Sequence, residues 1–366
     1  MKVLFFVIVQ FFINAANAKP LMQVPIHFVE ALSPKDTTSS ERFQKDYELA
    51  INLGKTTTQK ALSACGYEIQ THTKFFDSND PIQATEVAKV ISSQNPWLIL
   101  GPRRSNHYLL LVKGAEQTPT LSPLATAKEV SDLGSLHLTI SPFNNELALA
   151  AAKESKTRIK EKNKTYISIV SEDCVTCQDF AAQFDSHAGK LGLKKLQEFK
   201  VSGEEPHPSK IISAIAEHTP SFILLPNYSK VSSHLISIIH SKFPKPFFVG
   251  GDGWGDANFG FIQNGKDVGA AKGLTVRGFP PVADALKKLT YFKSVNPESI
   301  TQSGTGLGVL LMFESIQNIL CKNKPKSNKE FASLFEKVGK KSFSSPWGVS
   351  VYNLNQGQIT FSRIRR

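Results

Sequence analysis

Short apolar runs alternate with longer amphipathic segments along almost the whole chain. The run MQVPIHFVEAL at 22–32 predicts a strand, the segment 39–65 predicts a long amphipathic helix, and YEIQTHTKFFD at 67–77 predicts a second strand. The second half repeats this rhythm with TYISIVSED, CQDFAAQFDSHAGKLG and SFILLPN. Such alternation is typical of βαβ units whose parallel sheets carry helices on both faces. We therefore predict an α/β fold built from doubly wound parallel sheets.

The first eighteen residues have the features of an export signal. Lys2 precedes the apolar run VLFFVIVQFFI, and the small residues of ANA end at Ala18. We expect a signal peptide over 1–18 that is cleaved after Ala18, with an uncleaved membrane anchor as the alternative. The first cysteine is Cys65, so none stands at the cleavage point to carry a lipid, and no later run is expected to cross a membrane. The mature protein is therefore expected to be soluble and exported.

Chain length and charge limit the number of domains and the classes of function that the protein can have. Removing 18 residues from 366 leaves 348, which is more than one hydrophobic core usually supports, so two domains are expected. The formal net charge of +12 is spread over separate lysine-rich segments at 156–164, around Lys190 and near Cys321, without interleaved aromatic residues. This distribution favours solvated helix faces over a nucleic-acid site.

Catalytic signatures are absent or incomplete. LGKTTT at 53–58 ends like a phosphate loop, but Leu49 stands where the first glycine is required, and the segment lies within a helical pattern. Neither a Gly-x-Ser-x-Gly elbow nor a His-Glu-x-x-His helix occurs. We expect no enzyme, no metal and no cofactor.

Four cysteines, an even number, favour disulfides in an exported chain: Cys65, Cys174, Cys177 and Cys321. The motif CVTC, which contains Cys174 and Cys177, is compatible with a redox pair, a structural link or two free thiols. One such motif outside a thioredoxin-like context is a weak indication of thiol chemistry.

The stretch FFVGGDGWGD places Asp252 between glycines at the end of a buried strand. Carboxyl ends of parallel strands are where such sheets bind ligands, although Gly-Asp-Gly is also ordinary turn chemistry. Asp252 is thus either a turn residue or a ligand-binding residue.

Six segments, taken in order, resemble the type I periplasmic binding proteins, in the branch of the leucine/isoleucine/valine-binding proteins of ABC importers. They are FFDSNDPIQATEVAKVISSQNPWLILGPRRS, TPTLSPLATAKEV, VSEDCVTCQDFAAQF, FILLPNYSK, FFVGGDGWG and WGVSVYNLNQGQI. The resemblance implies two doubly wound lobes joined by three hinge crossings, near LTISPF, LTVRGF and PWGVSVY. It places lobe one at 19–140 and 277–346, and lobe two at 141–276 and 347–366.

The resemblance also implies a function. It predicts a periplasmic, monomeric protein that captures a small amino-acid-like or carboxylate ligand between its lobes and delivers it to an inner-membrane ABC permease. A ligand-sensing receptor for a signalling partner is the first alternative. A secreted thiol oxidoreductase that uses Cys174 and Cys177 is the second.

Site residues follow from the same resemblance. Asp252 matches the acidic residue that pairs with a ligand ammonium, and Ser105 matches the serine that binds the ligand carboxylate. The remaining expected contacts are Leu124, Ala125 and Thr126, the wall residue Tyr228, and Arg104. Arg103 and Arg104 stand where the family usually has small or polar residues, so one of them is either solvated or contacts a second ligand carboxylate. Disulfides are expected between Cys174 and Cys177 or between Cys65 and Cys321.

Overall fold

The computed structural model of the protein describes residues 20–34, 37–161, 164–203, 206–254, 268, 270–300, 303–355 and 358–365. The predicted signal peptide and its cleavage point after Ala18 lie outside the described residues.

Five parallel strands form the first sheet, in the order β2-β1-β3-β4-β5. They are β1 (Met22–Leu32), β2 (Tyr67–Asp77), β3 (Leu98–Leu100), β4 (Thr120–Ser122) and β5 (His137–Thr139). The central strand β3 is completely buried, as expected for a strand that helices cover on both faces.

Seven strands form the second sheet, in the order β12-β11-β10-β9-β8-β6-β7. They are β6 (Thr165–Ser171), β7 (Lys194–Val201), β8 (Phe222–Leu225), β9 (Phe247–Gly250), β10 (Gly273–Arg277), β11 (Val349–Asn355) and β12 (Gln358–Arg365). Strands β6 to β10 pair in parallel, whereas β11 and β12 add an antiparallel edge.

Helices cover both faces of each sheet. They are α1 (Thr37–Ala64), α2 (Ile82–Ser92), α3 (Ser105–Gly114), α4 (Lys128–Ser131), α5 (Asn144–Arg158), α6 (Val175–Lys190), α7 (Ser209–His218), α8 (Ser229–Lys242), α9 (Val282–Leu286), α10 (Ser303–Asn323) and α11 (Asn328–Phe343). Two 3-10 turns lie at Asp252–Trp254 and Pro297–Ser299.

Each sheet has an apolar core on both faces. In the first, α1, α10 and α11 pack on one face, and α2 and α3 pack on the other. In the second, α5 and α6 cover one face, while α7 and α8 cover the other. We call the first sheet with α1–α4 and α9–α11 the first lobe, and the second sheet with α5–α8 the second lobe. The predicted α/β class with doubly wound parallel sheets is confirmed.

Helix α10 corrects one sequence prediction. Its segment Gly304–Asn323 is long and apolar enough to pass the length and composition test for a membrane span, although no such run was expected. In the structure 83% of this segment is buried, because α10 packs beside α1 on the first sheet. A disulfide joins Cys321 of α10 to Cys65, which follows α1, with a Cα–Cα distance of 5.3 Å. The apolar composition therefore belongs to a core helix of the first lobe.

Three chain crossings connect the lobes and contact one another. The amide of Ser345 donates to the carbonyl of Ile140 over 3.1 Å, and its hydroxyl donates to the carbonyl of Gly278 over 3.4 Å. A Cβ atom on Gly278 would lie only 2.4 Å from the hydroxyl oxygen of Ser141, so a side chain there would separate the crossings. The precise boundaries at 140/141, 276/277 and 346/347 stay a prediction.

Candidate functional site

The candidate site lies where the carboxyl ends of the two sheets face each other. Strand order reverses between β1 and β3 in the first sheet, and between β6 and β8 in the second. In open α/β sheets the crevice at such a reversal is where ligands bind. The loops after β3 and β4 bring Arg104, Ser105 and the 124–126 segment to this region, and the loops after β8 and β9 bring Tyr228 and Asp252.

The loop after β3 leads directly into α3. Gly101 has φ of +98°, and a Cβ atom there would lie 2.0 Å from the carbonyl oxygen of Val29, so only glycine fits. Helix α3 begins at Ser105, and Arg104 at its N-cap makes no side-chain capping bond. First-turn amides have no intrahelical acceptor, and the helix dipole favours an anion beside them. This end of α3 is therefore suited to a carboxylate.

The hydroxyl of Ser105 stabilises a neighbouring loop, in addition to any contact with a ligand. Its oxygen accepts hydrogen bonds from the amides of Thr126 (3.1 Å) and Ala127 (3.2 Å), and the side chain is buried. Ser105 thereby fixes the loop after β4 to the start of α3. The hydroxyl proton remains to be donated, since both bonds use only its oxygen as an acceptor.

Leu124 and Ala125 are held by their own loop. The hydroxyl oxygen of Ser122 accepts from the amides of Leu124 (3.4 Å) and Ala125 (3.0 Å). Leu124 packs on α10, where a Cβ atom on Gly304 would lie 3.1 Å from its Cδ2 atom. The large leucine is therefore accommodated by a glycine opposite, and the backbone amides of these two residues are already in use.

Asp252 opens the 3-10 turn that follows β9. Burial raises the pKa of Asp252 from 3.8 to about 6, while Arg277 and a backbone hydrogen bond oppose the rise. A carboxylate that has lost hydration is stabilised by a cation that comes close to it. Asp252 is thus able to receive a cationic group of a ligand.

Close packing accounts for the glycines beside Asp252. A Cβ atom on Gly251 would lie 3.3 Å from the ring of Phe180. On Gly253 it would lie 3.1 Å from both the Asn227 carbonyl oxygen and the Tyr228 ring. These glycines therefore let the turn lie against neighbouring aromatic residues. Protein atoms occupy the space that a side chain at either position would need.

Tyr228 and Arg104 meet across the cleft. The guanidinium carbon of Arg104 lies 5.4 Å from the centroid of the Tyr228 ring, and Tyr228 is 37% exposed. Burial raises the pKa of Tyr228, Arg104 and Arg103 oppose this rise, and Asp252 adds to it. Charged residues of both lobes thus act on one tyrosine hydroxyl. Arg104, Tyr228 and Asp252, which were predicted as site residues, therefore lie in one region.

A set of polar contacts, which we call the closure latch, joins the lobes beside this region. The hydroxyl oxygens of Thr126 and Thr176 lie 2.9 Å apart, and the amide of Lys128 donates to Asp179 Oδ2 over 2.9 Å. Within the second lobe, Asn144 donates from Nδ2 to the same oxygen over 2.9 Å and to the carbonyl of Thr176 over 3.0 Å, so it holds the α6 residues of the latch in position. Sequence reasoning missed Asn144, Thr176 and Asp179, because each reads as an ordinary residue near the start of a helix.

The second disulfide closes the first turn of α6. Cys174 and Cys177 are bonded, and the amide of Cys177 donates to the Cys174 sulfur over 3.2 Å. Their relative exposures are 7% and 1%. Both disulfides considered from the sequence are therefore present, and this one fixes the turn that carries Thr176 of the closure latch.

No protein-family model matches the sequence, and no curated protein matches it. Solved structures do match. The leucine-binding protein LivK of Thermotoga maritima is 14% identical, with a TM-score of 0.73, over 93% of this chain and 98% of that one. The branched-chain amino acid transporter substrate-binding protein LivJ of Streptococcus pneumoniae, solved with isoleucine, is 14% identical, with a TM-score of 0.71, over 93% and 99%. A solute-binding protein of an ABC transporter from R. palustris, solved with benzoate, is 13% identical, with a TM-score of 0.66, over 93% and 95%.

These similarities show the fold, which is that of the type I periplasmic binding proteins. The two-lobed architecture predicted from the six sequence segments is confirmed.

Proposed function

We propose that this protein is a solute-binding protein that captures a small amino-acid-like or carboxylate ligand between its lobes for an ABC importer. The proposal rests on one observation. The uncapped start of α3 in the first lobe and the desolvated carboxylate of Asp252 in the second belong to the same cleft. A zwitterion has complementary charges for these two groups.

The solved structures of similar fold support this assignment. Their names describe substrate-binding proteins of ABC transporters, and their ligands include isoleucine and benzoate. Both ligands carry a carboxylate, and isoleucine also carries an ammonium group. The closed arrangement suits such a role, because a ligand that contacts both lobes favours the closed state.

In this proposal Asp252 pairs with the ligand ammonium, and the first-turn amides of α3 with the Ser105 proton bind the carboxylate. Tyr228 and Arg104 cover the ligand at the mouth of the cleft. Leu124, Ala125 and Thr126 line the first-lobe side. Because the amides of 124–126 already have acceptors, the start of α3 provides the main anion contact.

The proposal extends to the location and partner of the protein. We infer export to the periplasm after cleavage behind Ala18, a monomeric state, and delivery of the ligand to an inner-membrane permease. Mass spectrometry of exported protein should give an N-terminus at Lys19. A retained N-terminus in the membrane fraction would contradict this part.

Thermal-shift screening with amino acids and small carboxylic acids tests the binding function. A ligand that binds only the folded state raises the melting temperature. Calorimetry with the ligand found should then show that Asp252→Ala weakens binding by a few hundredfold, because an ammonium is left buried without a partner.

The matched control is Asp173→Ala, which removes an exposed carboxylate of the same lobe and should change affinity less than threefold. Unchanged affinity in Asp252→Ala would mean that the ligand does not use this carboxylate.

A thiol oxidoreductase receives no support from the position of the Cys174–Cys177 disulfide. Attack on a disulfide needs access to a sulfur atom, and both sulfurs lie in residues with little exposed surface.

A further inference from the structure

Arg103 is half-buried, and the hydrogen bonding of its guanidinium is incomplete. Its guanidinium carbon lies 3.8 Å from the centroid of the Phe43 ring, which covers one face of the group. The Nη1 atom is sealed from solvent and has no hydrogen-bond partner among the residues that the structure describes. A guanidinium carries five N–H donors, and burying such donors without acceptors is costly. The group therefore lacks an acceptor that a bound molecule would supply.

Glu30 is an acidic residue whose charge acts on Arg103, and its oxygens accept hydrogen bonds from backbone amides. Glu30 is completely buried in β1, where Oε1 accepts from the amide of Ala31 (2.9 Å) and Oε2 accepts from the backbone amide of Arg103 (3.0 Å). Burial raises the pKa of Glu30, and the charge of Arg103 opposes the rise only in part. Glu30 thus positions the backbone of Arg103, while Nη1 of Arg103 has no acceptor in the described part of the chain.

Tyr47 adds a second unused polar group beside the first. Its side chain is 1% exposed, and its hydroxyl is buried without a hydrogen-bond partner in the described part of the chain. Its ring stacks on Phe43 with centroids 5.6 Å apart, so Tyr47 and Arg103 contact the same aromatic ring. The hydroxyl of Tyr47 and Nη1 of Arg103 each have a proton to donate.

Both groups lie next to the candidate ligand site. Arg103 immediately precedes Arg104 and Ser105, at the reversal point of the first sheet. Its charge acts on the hydroxyl of Tyr228 from the opposite lobe. Arg104, by contrast, is exposed and stacks on Tyr228 at the mouth of the cleft. Arg103 is therefore the inner arginine of the pair.

We propose that Arg103, assisted by the hydroxyl of Tyr47, binds an acidic group on the side chain of the ligand. The physiological ligand is then an acidic amino acid or a related dicarboxylate, and not a branched-chain amino acid. This inference rests on the proposed solute-binding function and names its substrate class. A carboxylate suits the site because the planar guanidinium presents paired donors to two oxygen atoms.

Calorimetry with acid and amide pairs tests this specificity. The probes are L-glutamate against L-glutamine and L-aspartate against L-asparagine, with L-leucine as an apolar reference. We expect the full-length chain to bind at least one acid 30-fold or more tightly than its amide. Arg103→Met should remove this preference while changing the affinity for the amide less than threefold, because methionine still packs on Phe43.

Two further variants separate Arg103 from its surroundings. Tyr47→Phe removes only the hydroxyl and should weaken binding of the acid by at least threefold without affecting the amide. It keeps the aromatic packing, so it tests the site even if Arg103→Met does not fold. Arg104→Met should change acid and amide affinities by the same factor.

The results that contradict the inference differ from those that contradict the proposed function. Tight binding of L-leucine or L-glutamine that Arg103→Met and Tyr47→Phe leave unchanged would overturn the acidic specificity and leave the solute-binding function in place. Binding of none of these probes, nor of benzoate or succinate, would count against both.

Discussion

The closure latch makes a quantitative prediction for Asp179→Ala. Asp179 Oδ2 accepts one hydrogen bond from Lys128 of the first lobe and one from Asn144 beside the hinge. Only the bond from Lys128 crosses between the lobes, because Asn144 and Asp179 both belong to the second lobe. That bond to a half-buried carboxylate should contribute about 1 kcal/mol net, which the closed state loses. If the unliganded protein is mainly open, ligand affinity should fall about fivefold, since 1.4 kcal/mol corresponds to a factor of ten.

Calorimetry with the ligand found by screening measures this loss, and small-angle scattering reports whether the ligand still closes the lobes. Gln183→Ala is the matched control, because Gln183 donates to Asp179 Oδ1 within the same helix and has no hydrogen bond to the described residues of the first lobe. It should change affinity less than twofold. A role of Asp179 in closure is excluded if Asp179→Ala, with a native melting temperature, binds as tightly as the wild type, or if Gln183→Ala weakens binding equally.

Three further predictions concern stability and pH. Replacing Cys65 and Cys321 with serine should lower the free energy of unfolding by about 3 to 5 kcal/mol, because the disulfide closes a loop with a sequence separation of 256. Urea unfolding measures this change, and a decrease of less than about 1 kcal/mol would contradict the prediction. Glu154 is completely buried; burial alone would raise its pKa, but hydrogen bonds from two arginines of β12 hold that pKa below its usual range. Glu154→Ala should therefore lower the free energy of unfolding by about 2 kcal/mol above pH 5, and by progressively less in acid. The control is Lys153→Ala, which replaces an exposed residue. An effect of Glu154→Ala no larger than that of the control would argue against this role. The raised pKa of Asp252 favours its protonated form, so the stability that this group contributes is present below pH 3.8 and is lost as pH rises through about 6. An ammonium ligand needs the ionised form of Asp252. Affinity should therefore fall about tenfold per pH unit below pH 6 in the wild type and stay constant in Asp252→Asn. A wild-type affinity that does not change with pH would exclude this ion pair.

Local patterns in the sequence predicted the strands and helices well. The apolar runs of β1 and β2 and the helix that follows Pro81 lie where hydrophobic periodicity placed them. Asp252 follows a buried strand, and Ser105 opens a helix, as expected. These features depend on residues that are close in sequence, which is why a single sequence reveals them.

Contacts between distant segments were not predictable in the same way. Thr126 and Thr176 are 50 residues apart, and Arg103 contacts a carboxylate 73 residues earlier in the chain. Glu30 within an apolar strand was a sign of a buried polar group, because an acidic residue there needs hydrogen-bond donors. Which donors it finds depends on how the strands align in the sheet.

A crystal structure of the protein with its screened ligand tests directly whether the ligand binds between the lobes. We predict density between the start of α3 and Asp252, with the ligand ammonium about 3 Å from the Asp252 carboxylate and the acidic side-chain group at Arg103. The second lobe also contains an open cavity of about 550 Å³, which Pro206, His207, His234, Ile238 and Lys242 help to line. Ligand density in that cavity, with the cleft between the lobes left empty, would contradict the account.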